Sequence, residues 1–254
     1  GNLKSLVVFV VMGVSAFATL KGITAVLRVN TVDSIAVDMA SGANLGTVVS
    51  SLSGLPAAQA FTLTGFVLGG LLVLAVLRHA DFWTFENLLA SFGVGALVTA
   101  MWWVSGHLGF VPEHPETLEA VYVGTASSRI EAFSFVAPIA HSLDWLMFFS
   151  DKAKVLTVGV MAVVGVISGS AVSSLLDKSF RWEGFANAQD LAYHLVGAVL
   201  MGVGGVTALG CTIGQGLSGM STLSLNAVVA TAAIVAGAVL AIRHQVARLE
   251  RELD

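Results

Sequence analysis

The sequence predicts an all-α polytopic membrane protein: a helical bundle of about six or seven spans with short re-entrant helices. Composition is the first observation, since 56% of the 254 residues are hydrophobic and 11% are charged, against roughly 25% charged in ordinary soluble domains. The mean hydropathy, +0.87, is the second. Third, apolar runs of about 20 residues recur along the chain, and a helix of that length crosses a bilayer with its backbone hydrogen-bonded.

Six apolar runs are long enough to span a membrane: Leu3–Leu27, Ala57–Leu77, Leu88–Leu108, Val155–Leu176, Leu191–Leu209 and Leu223–Ile242. Two further segments are weaker. Ile130–Phe149 contains polar residues such as Glu131 and Asp144, so it is a poor span, a re-entrant piece or an interfacial helix. Leu45–Leu55 is too short to cross and too apolar for a plain loop, and we expect it to dip into the membrane and return.

The charge of the loops predicts the orientation, because Lys and Arg favour the cytoplasmic side. Asn30–Leu55 and Pro112–Ser128 contain acidic residues and no Lys or Arg, whereas the tail at 243–254 contains three arginines. We therefore expect a charged cytoplasmic tail at 243–254 and both acidic loops outside. Basic residues flank the span near 155–176 on both sides, which leaves the topology of the middle open.

We interpret residues 1–254 as a single transmembrane domain. The chain begins with Gly1-Asn2-Leu3-Lys4, without a methionine, and runs straight into an apolar segment, so we expect its N-terminal portion to be missing. A single cysteine excludes an intramolecular disulfide and a Cys-only metal site, and we predict no metal and no cofactor. The net charge of −4 and the scattered basic residues exclude a nucleic-acid-binding surface.

The chemistry of the chain is concentrated in Gly210–Gly219, called here the glycine–cysteine segment. It holds the only cysteine, Cys211, and interrupts an uncharged stretch between Asp190 and Arg243. Two simple spans do not use up that stretch, so we predict a loop at membrane depth, entered by one helix and left through a short second helix. Its four glycines, at positions 210, 214, 216 and 219, permit positive φ and close approach of a substrate to the backbone.

An anion held here would depend on uncharged groups, since the segment has no Lys or Arg. Helix N-terminal N–H groups, hydroxyls, an amide and the thiol are the available donors. Cys211 either donates its S–H or reacts as a thiolate. The alternative is packing, because a lone buried cysteine is usually a small apolar filler and membrane glycines usually serve close helix contact. The residues expected to bind substrate are Gly210, Cys211, Thr212, Gly214, Gln215, Gly216 and Ser218.

The run Val203–Leu225, VGGVTALGCTIGQGLSGMSTLSL, resembles the signature of the YeeE/YedE family, bacterial inner-membrane proteins with sulphur-transport domains. Phe180–Phe185, FRWEGF, is also similar to members of this family. The resemblance implies a pseudo-repeated architecture of two halves, each with a glycine–cysteine segment, and a path on which thiosulfate passes between thiols. Because this chain has one cysteine, we expect its first half to be incomplete.

The sequence therefore predicts a multi-pass transporter of the bacterial inner membrane, with no catalytic residues, for thiosulfate or a related small sulphur-containing anion. The anion would pass the glycine–cysteine segment at membrane depth. The predicted partners are this anion, membrane lipid and a cytoplasmic sulfurtransferase. Two alternatives remain open: a membrane sulphur-relay enzyme in which Cys211 carries a persulfide, and an accessory structural subunit of a membrane complex.

Other polar residues lie in or near apolar runs. Lys21 lies near the far end of the first run, and we expect its side chain to snorkel to the interface rather than contact a ligand. His141 and Asp144 share a helical face and are interpreted as an interfacial pair, with a place on the path as the alternative. His194 lies one turn after Asp190, and we expect it to cap that helix, with contact to the substrate as the alternative.

Overall fold

The computed structural model describes residues 3–35, 43–115, 118–151 and 154–253. Gly1, Asn2 and Asp254, which belong to the predicted domain and tail, lie outside these ranges. Within them the all-α prediction is confirmed by nine helices: α1 Leu3–Lys21, α2 Ile23–Thr31, α3 Leu45–Ser53, α4 Ala57–Leu77, α5 Phe85–Trp103, α6 Val136–Met147, α7 Val158–Leu176, α8 Ala188–Thr207 and α9 Leu225–Leu253. Shorter elements are a 3₁₀ turn at Ala80–Trp83, π-helical turns at Val104–Leu108 and Gly214–Gly219, and strand β1 Phe110–Val111, which pairs antiparallel with β2 Val121–Tyr122.

Six helices of the described chain are long and apolar enough to cross a membrane: α1, α4, α5 extended to Leu108, α7, α8 and α9. They correspond to the six apolar runs of the sequence. Most of their large apolar side chains are exposed. In water such a surface would be strongly unfavourable, whereas lipid tails are as apolar as the side chains themselves. The chain is a multi-pass membrane protein.

Two predicted segments differ from the structure in length. The first run does not stay helical to Leu27, because α1 ends at Lys21 and a new helix, α2, begins after Gly22. The weak segment Ile130–Phe149 forms only α6, a helix of 12 residues. At a rise of 1.5 Å per residue it is about 18 Å long, too short for a hydrocarbon core of about 30 Å. The reading of this segment as a span is therefore wrong.

The described residues of Gly1–Ala36 and Leu89–Gly214 form one compact unit, and those of Val37–Leu88 and Gln215–Asp254 form another. The interpretation of the whole chain as one domain stays a prediction. Helices α1, α6 and α8 pack together in the first unit, around a core of Met12, Ala16, Val136, Ile139, Ala140, Val163, Ala198 and Val206.

Helices α1 and α8 of the first unit run parallel. Near their starts the Lys4 ammonium lies 2.8 Å from the Asp190 carboxylate. Further along, Gly202 meets α1 so closely that an added Cβ would lie 2.6 Å from the Met12 carbonyl oxygen and 2.9 Å from the Ala16 nitrogen. Glycine at this position therefore lets the two backbones approach, which is the usual role of small residues between membrane helices.

Helix α6 runs alongside α1 in the same direction. Its Ile139 packs against Gly13, where an added Cβ would lie 2.6 Å from the isoleucine Cγ2. One turn and a half later, Asp144 reaches Lys21 at the end of α1. The start of α6 packs on α8, because Val136 lies against Gly205. Both ends of this short helix are thus fixed by spanning helices of the first unit.

The second unit has its own contacts between α3, α4 and the start of α9. An added Cβ at Gly46 of α3 would lie 2.6 Å from the Phe61 ring of α4. The Leu45 N–H donates to the Leu223 carbonyl at 2.9 Å, and the Leu225 N–H donates to the Ala43 carbonyl at 2.9 Å. These paired bonds tie the start of α3 to the start of α9.

Candidate functional site

The break predicted after the fifth apolar run is present. Helix α8 ends at Thr207, and a short helical stretch begins at Thr212 and becomes π-helical over Gly214–Gly219. Single π turns are rare and occur frequently at functional sites. Most of the segment drawn as a loop from the sequence is therefore helical.

The four glycines of the segment do not adopt the positive φ that glycine permits. Among the described residues, glycines with positive φ are Gly54 and Gly124. The left-handed residues beside the segment are leucines, Leu209 with φ of 58° and Leu223 with φ of 57°. Leu209 ends α8 with a left-handed turn, which is uncommon for a residue with a side chain. Helical geometry explains the difference, because the glycines lie inside a helical stretch and the turns lie at its two ends.

The Cys211 side chain is half-buried and packs against the core of the first unit. Its sulfur lies 3.8 Å from the Ser134 hydroxyl. Backbone N–H groups of Gly214, Phe135 and Val136 also hydrogen-bond this sulfur. The thiol is thus surrounded by uncharged donors from two stretches of chain that are 77 residues apart in sequence.

Two helix N-termini meet at the Cys211 sulfur. Cys211 directly precedes the helical stretch that begins at Thr212, and the Gly214 N–H donates to its side chain in the manner of an N-cap. Phe135 is the N-cap residue of α6, and Val136 is the first residue of that helix. The free N–H groups of a helix start carry partial positive charge. The position of the sulfur is therefore one that favours a negative charge.

The pKa of the Cys211 thiol lies below its usual value. Burial raises this pKa, but the hydrogen bonds from Gly214, Phe135, Ser134 and Val136 lower it by more. Cys211 lies outside the six helices that span. A thiol in this setting is a better thiolate, and the same donors suit an anion that approaches the sulfur.

The other predicted site residues are distributed over both units, because the boundary falls after Gly214. Gly214 lies close to Ser134, with 2.9 Å between an added Cβ and the serine Oγ. In the same unit Gly210 is buried and Thr212 is exposed. In the second unit Gln215 and Ser218 are buried, and Gly216 is half-buried beside Thr231. The structure thus brings Cys211 and Gly214 together with one residue that the sequence analysis did not select.

Ser134, Phe135 and Val136 were missed as neighbours of Cys211. A local signal existed, because a serine shortly before a helix with proline in its first turn is typical of a helix start. That signal predicts a helix N-terminus but does not indicate which residue lies opposite it. The pairing with Cys211 depends on tertiary contact, which one sequence does not reveal.

A second polar group lies at the other end of α6, the lysine–aspartate cluster of Lys21, Asp144 and Lys154. The two ammonium groups lie 2.6 Å and 2.8 Å from one oxygen, Asp144 Oδ2. Burial raises the pKa of Asp144, but the hydrogen bonds from Lys154 and Lys21 outweigh it and hold this pKa below its usual value. Lys21, expected to snorkel, is therefore ion-paired, and Asp144 pairs with lysines rather than with His141.

His194 does not cap α8. The Asn187 side-chain oxygen accepts from the Asp190 N–H at 2.8 Å and provides the cap. The His194 ring nitrogen lies 2.7 Å from the Asp190 carbonyl oxygen, one turn earlier in the same helix. No three His, Cys, Asp or Glu side chains are grouped as metal ligands in the part of the chain that the structure describes.

The described chain has six candidate spans and a break between helices at Cys211, where helix N-termini face the sulfur. These features define a multi-pass helical membrane protein with a discontinuous helix, as in many transporters. The sequence profile of the Sulphur transport family matches residues 1–240, and the chain belongs to that family. It is also 34% identical over 92 residues to the thiosulfate transporter TsuA of Escherichia coli (strain K12). That match covers 36% of this chain and 25% of the relative. The resemblance based on Val203–Leu225 is confirmed at the level of the family.

Proposed function

We propose that this protein transports thiosulfate, or a closely related small sulphur-containing anion, across the bacterial inner membrane. The observation that best supports it is the set of backbone N–H groups around the Cys211 sulfur, which comes from two helix starts and includes no basic side chain. Membership of the Sulphur transport family and the similarity to a thiosulfate transporter agree with this substrate. The protein acts as a carrier and not as an enzyme, with its C-terminal tail in the cytoplasm.

The chemistry of the site suits an anion that must be held briefly and released. The N–H groups of Gly214, Phe135 and Val136 bond the Cys211 sulfur, and the partial positive charge of their helix starts attracts the anion, while the Cys211 S–H can donate to its terminal sulfur. None of these donors is a full charge, so the anion is bound weakly enough to leave, as conduction requires. The remaining proposed contacts are Gly210, Thr212, Gln215, Gly216 and Ser218. A cytoplasmic sulfurtransferase would take up the anion after release.

The test is thiosulfate uptake by the full chain in proteoliposomes. Cys211→Ala removes the thiol and Cys211→Ser replaces it with a hydroxyl of similar size, and uptake is expected to be lost in the first and strongly reduced in the second. Ser168→Ala is the matched control, because Ser168 is an exposed small polar residue on α7. Full uptake by Cys211→Ala at equal protein content would contradict the role of the thiol.

The lowered pKa of Cys211 also favours a second candidate, a sulphur relay. In that reaction the thiolate attacks the outer sulfur of thiosulfate, a Cys–S–S bond forms, the S–S bond of thiosulfate breaks, and sulfite leaves with the electron pair. Mass spectrometry of the protein after incubation with thiosulfate decides between the two: a persulfide on Cys211 supports the relay, and an unmodified Cys211 during active uptake supports transport. Uptake by the purified chain alone excludes a merely accessory role.

A further inference from the structure

Glu131 lies in the connection that leads from β2 into α6, three residues before Ser134. Its carboxylate joins two stretches of the first unit. Oε1 accepts from the Ala126 N–H at 2.6 Å, and Oε2 accepts from the Gly159 N–H at 3.1 Å. All of these residues belong to the first unit, so the contacts lie within one compact part of the chain.

The Glu131 carboxylate lies at the N-terminus of α7. Gly159 is the second residue of that helix, and the first N–H groups of a helix have no acceptor inside it. The Thr157 side chain accepts from the Val160 N–H of the same turn, and Glu131 accepts from Gly159. A carboxylate at a helix start also interacts favourably with the partial positive charge there. Glu131 is thus fixed to the start of a spanning helix.

The start of α7 also packs closely on the start of α6. An added Cβ at Gly159 would lie 3.0 Å from Glu131 Oε2 and 3.0 Å from Pro138 Cγ. Glycine at this position therefore allows the carboxylate to reach the helix start while Pro138 packs beside it.

The backbone of Glu131 is held by the end of a second span. Ser105 is fully buried in the π-helical turn Val104–Leu108, and its hydroxyl lies 2.7 Å from the Glu131 carbonyl oxygen, to which it donates. The next residue, Gly106, packs on Ile130, with 3.3 Å between an added Cβ and the isoleucine Cδ1. The side chain and the backbone of Glu131 are therefore held by different spanning helices.

The groups that bond the Cys211 sulfur follow Glu131 within five positions. They are the Ser134 hydroxyl and the N–H groups of Phe135 and Val136. The direction of a backbone N–H depends on the course of the chain, and hydrogen bonds weaken steeply when their angle departs from the ideal. A small displacement of the connection before α6 would therefore weaken several bonds to the thiol together.

We propose that Glu131 is a positioning residue, which holds the start of α6 against the Cys211 sulfur. It acts through the residues that follow it in sequence. A carboxylate by itself disfavours a nearby thiolate, so its contribution to the thiol is the geometry that its hydrogen bonds impose. That the positioned thiol serves transport rests on the proposed function, whereas the hydrogen bonds of Glu131 do not.

The test is the rate of alkylation of Cys211 as a function of pH in the full chain, because the thiolate is the reactive form. Glu131→Gln keeps the size of the side chain but leaves one acceptor oxygen in place of two. We expect the thiol pKa to rise and the thiolate fraction at neutral pH to fall about three- to tenfold, the effect of losing one hydrogen bond at the sulfur. Loss of the negative charge alone would lower this pKa, so the sign separates positioning from direct electrostatics.

Two further variants complete the test. Glu86→Gln is the matched control, because Glu86 is an exposed carboxylate in the first turn of another helix, α5, and it should leave the alkylation profile unchanged. Ser105→Ala removes the bond to the Glu131 carbonyl and keeps the carboxylate. It should raise the thiol pKa to a smaller extent, and it decides the question if Glu131→Gln does not fold. Above pH 7 His141 is neutral, because burial lowers its pKa, so its titration does not enter the profile.

Thiosulfate uptake by the same variants connects positioning to function, and it should fall together with the thiolate fraction. An unchanged or lowered thiol pKa in folded Glu131→Gln would overturn the positioning role. A lower melting temperature with an unchanged alkylation profile would assign Glu131 a structural role only and would overturn it as well. A raised thiol pKa in the variant, with no thiosulfate uptake by the parent chain, would retain the positioning role and overturn the proposed function instead.

Discussion

The two ends of helix α6 present different chemistry to an anion. At its start, N–H groups of Phe135 and Val136 face the Cys211 sulfur, and no side chain with a full charge is among the groups that bond it. At its far end, Asp144 lies between two lysines. The partial charges of a helix end act over a short range, and little free energy is lost when they are buried. Full charges act over a longer range, and their burial is strongly unfavourable. The start of α6 therefore presents only dipoles to an anion, whereas its far end is an ion-paired cluster.

The largest expected effect comes from Gly202→Ala, which disturbs both ends of α6 together. The new Cβ would lie 2.6 Å from the Met12 carbonyl oxygen of α1, and backbone cannot move aside as a flexible side chain can. We expect a loss of about 1 to 3 kcal/mol in stability. Gly204→Ala is the control, since no atom lies within 4 Å of an added Cβ there. Thermal unfolding in detergent measures both, and equal melting temperatures would contradict the tight α1–α8 contact.

A change confined to the thiol end is Gly214→Ala. Its Cβ would lie 2.9 Å from Ser134 Oγ, so the serine hydroxyl must turn or move, which disturbs its contact with the Cys211 sulfur. We expect uptake to fall up to about tenfold, the effect of losing one hydrogen bond at the thiol, with the melting temperature retained. Gly165→Ala, which meets no atom within 4 Å, should leave uptake unchanged. Unchanged uptake by folded Gly214→Ala would contradict the role of this contact at the thiol.

Lowering the pH should reduce the stability of the protein through His141 and Asp144, which lie on α6 toward its far end. Burial lowers the pKa of His141 below 6.5 in the folded chain, so the unfolded chain binds a proton more readily and stability falls as the pH drops below 6.5. The lowered pKa of Asp144 adds stability that is present above 3.8 and is lost as the pH falls toward the folded value. Melting temperature against pH measures both steps. His141→Gln should remove the first step, whereas the exposed His79→Gln should retain it.

The smallest expected effect is that of Ser134→Ala. The Ser134 hydroxyl contributes to the lowered pKa of Cys211, after the N–H groups of Gly214 and Phe135. Its removal should raise the thiol pKa slightly and leave the fold intact. The rate of alkylation of Cys211 as a function of pH reports this pKa, with Ser168→Ala as the reference. A shift to lower pH would contradict the hydrogen bond between the two side chains.

Much of the fold could be predicted because membrane insertion depends on local sequence. The run Ala57–Leu77 was predicted with the same bounds as α4, since the length of an apolar run alone determines whether a helix crosses. The end of α1 at Lys21 was not predicted, because hydropathy continues past Gly22. A break inside an apolar run depends on backbone geometry and on the neighbours that the new helix finds.

The candidate site was predicted only in the part that is contiguous in sequence. Cys211 and Gly214 were selected from one short segment, but Ser134 lies 77 residues away. The pairing of Lys21 with Asp144 spans 123 residues, and neither partner indicates the other in a single sequence. Glycine adopts positive φ most readily, yet beside the glycine–cysteine segment the fold imposes left-handed turns on Leu209 and Leu223.

The parallel contact between α1 and α8 has a topological consequence. Since both helices start at one face, where Lys4 pairs with Asp190, the chain must cross the bilayer an odd number of times between them. Among the described residues three spans lie there, α4, α5 and α7, and the parity holds only because α6 does not cross. Lys178 and Arg181, which follow α7, then share the face of Lys4. Because Lys and Arg favour the cytoplasmic side, we infer that the lysine–aspartate cluster lies on the opposite, external face.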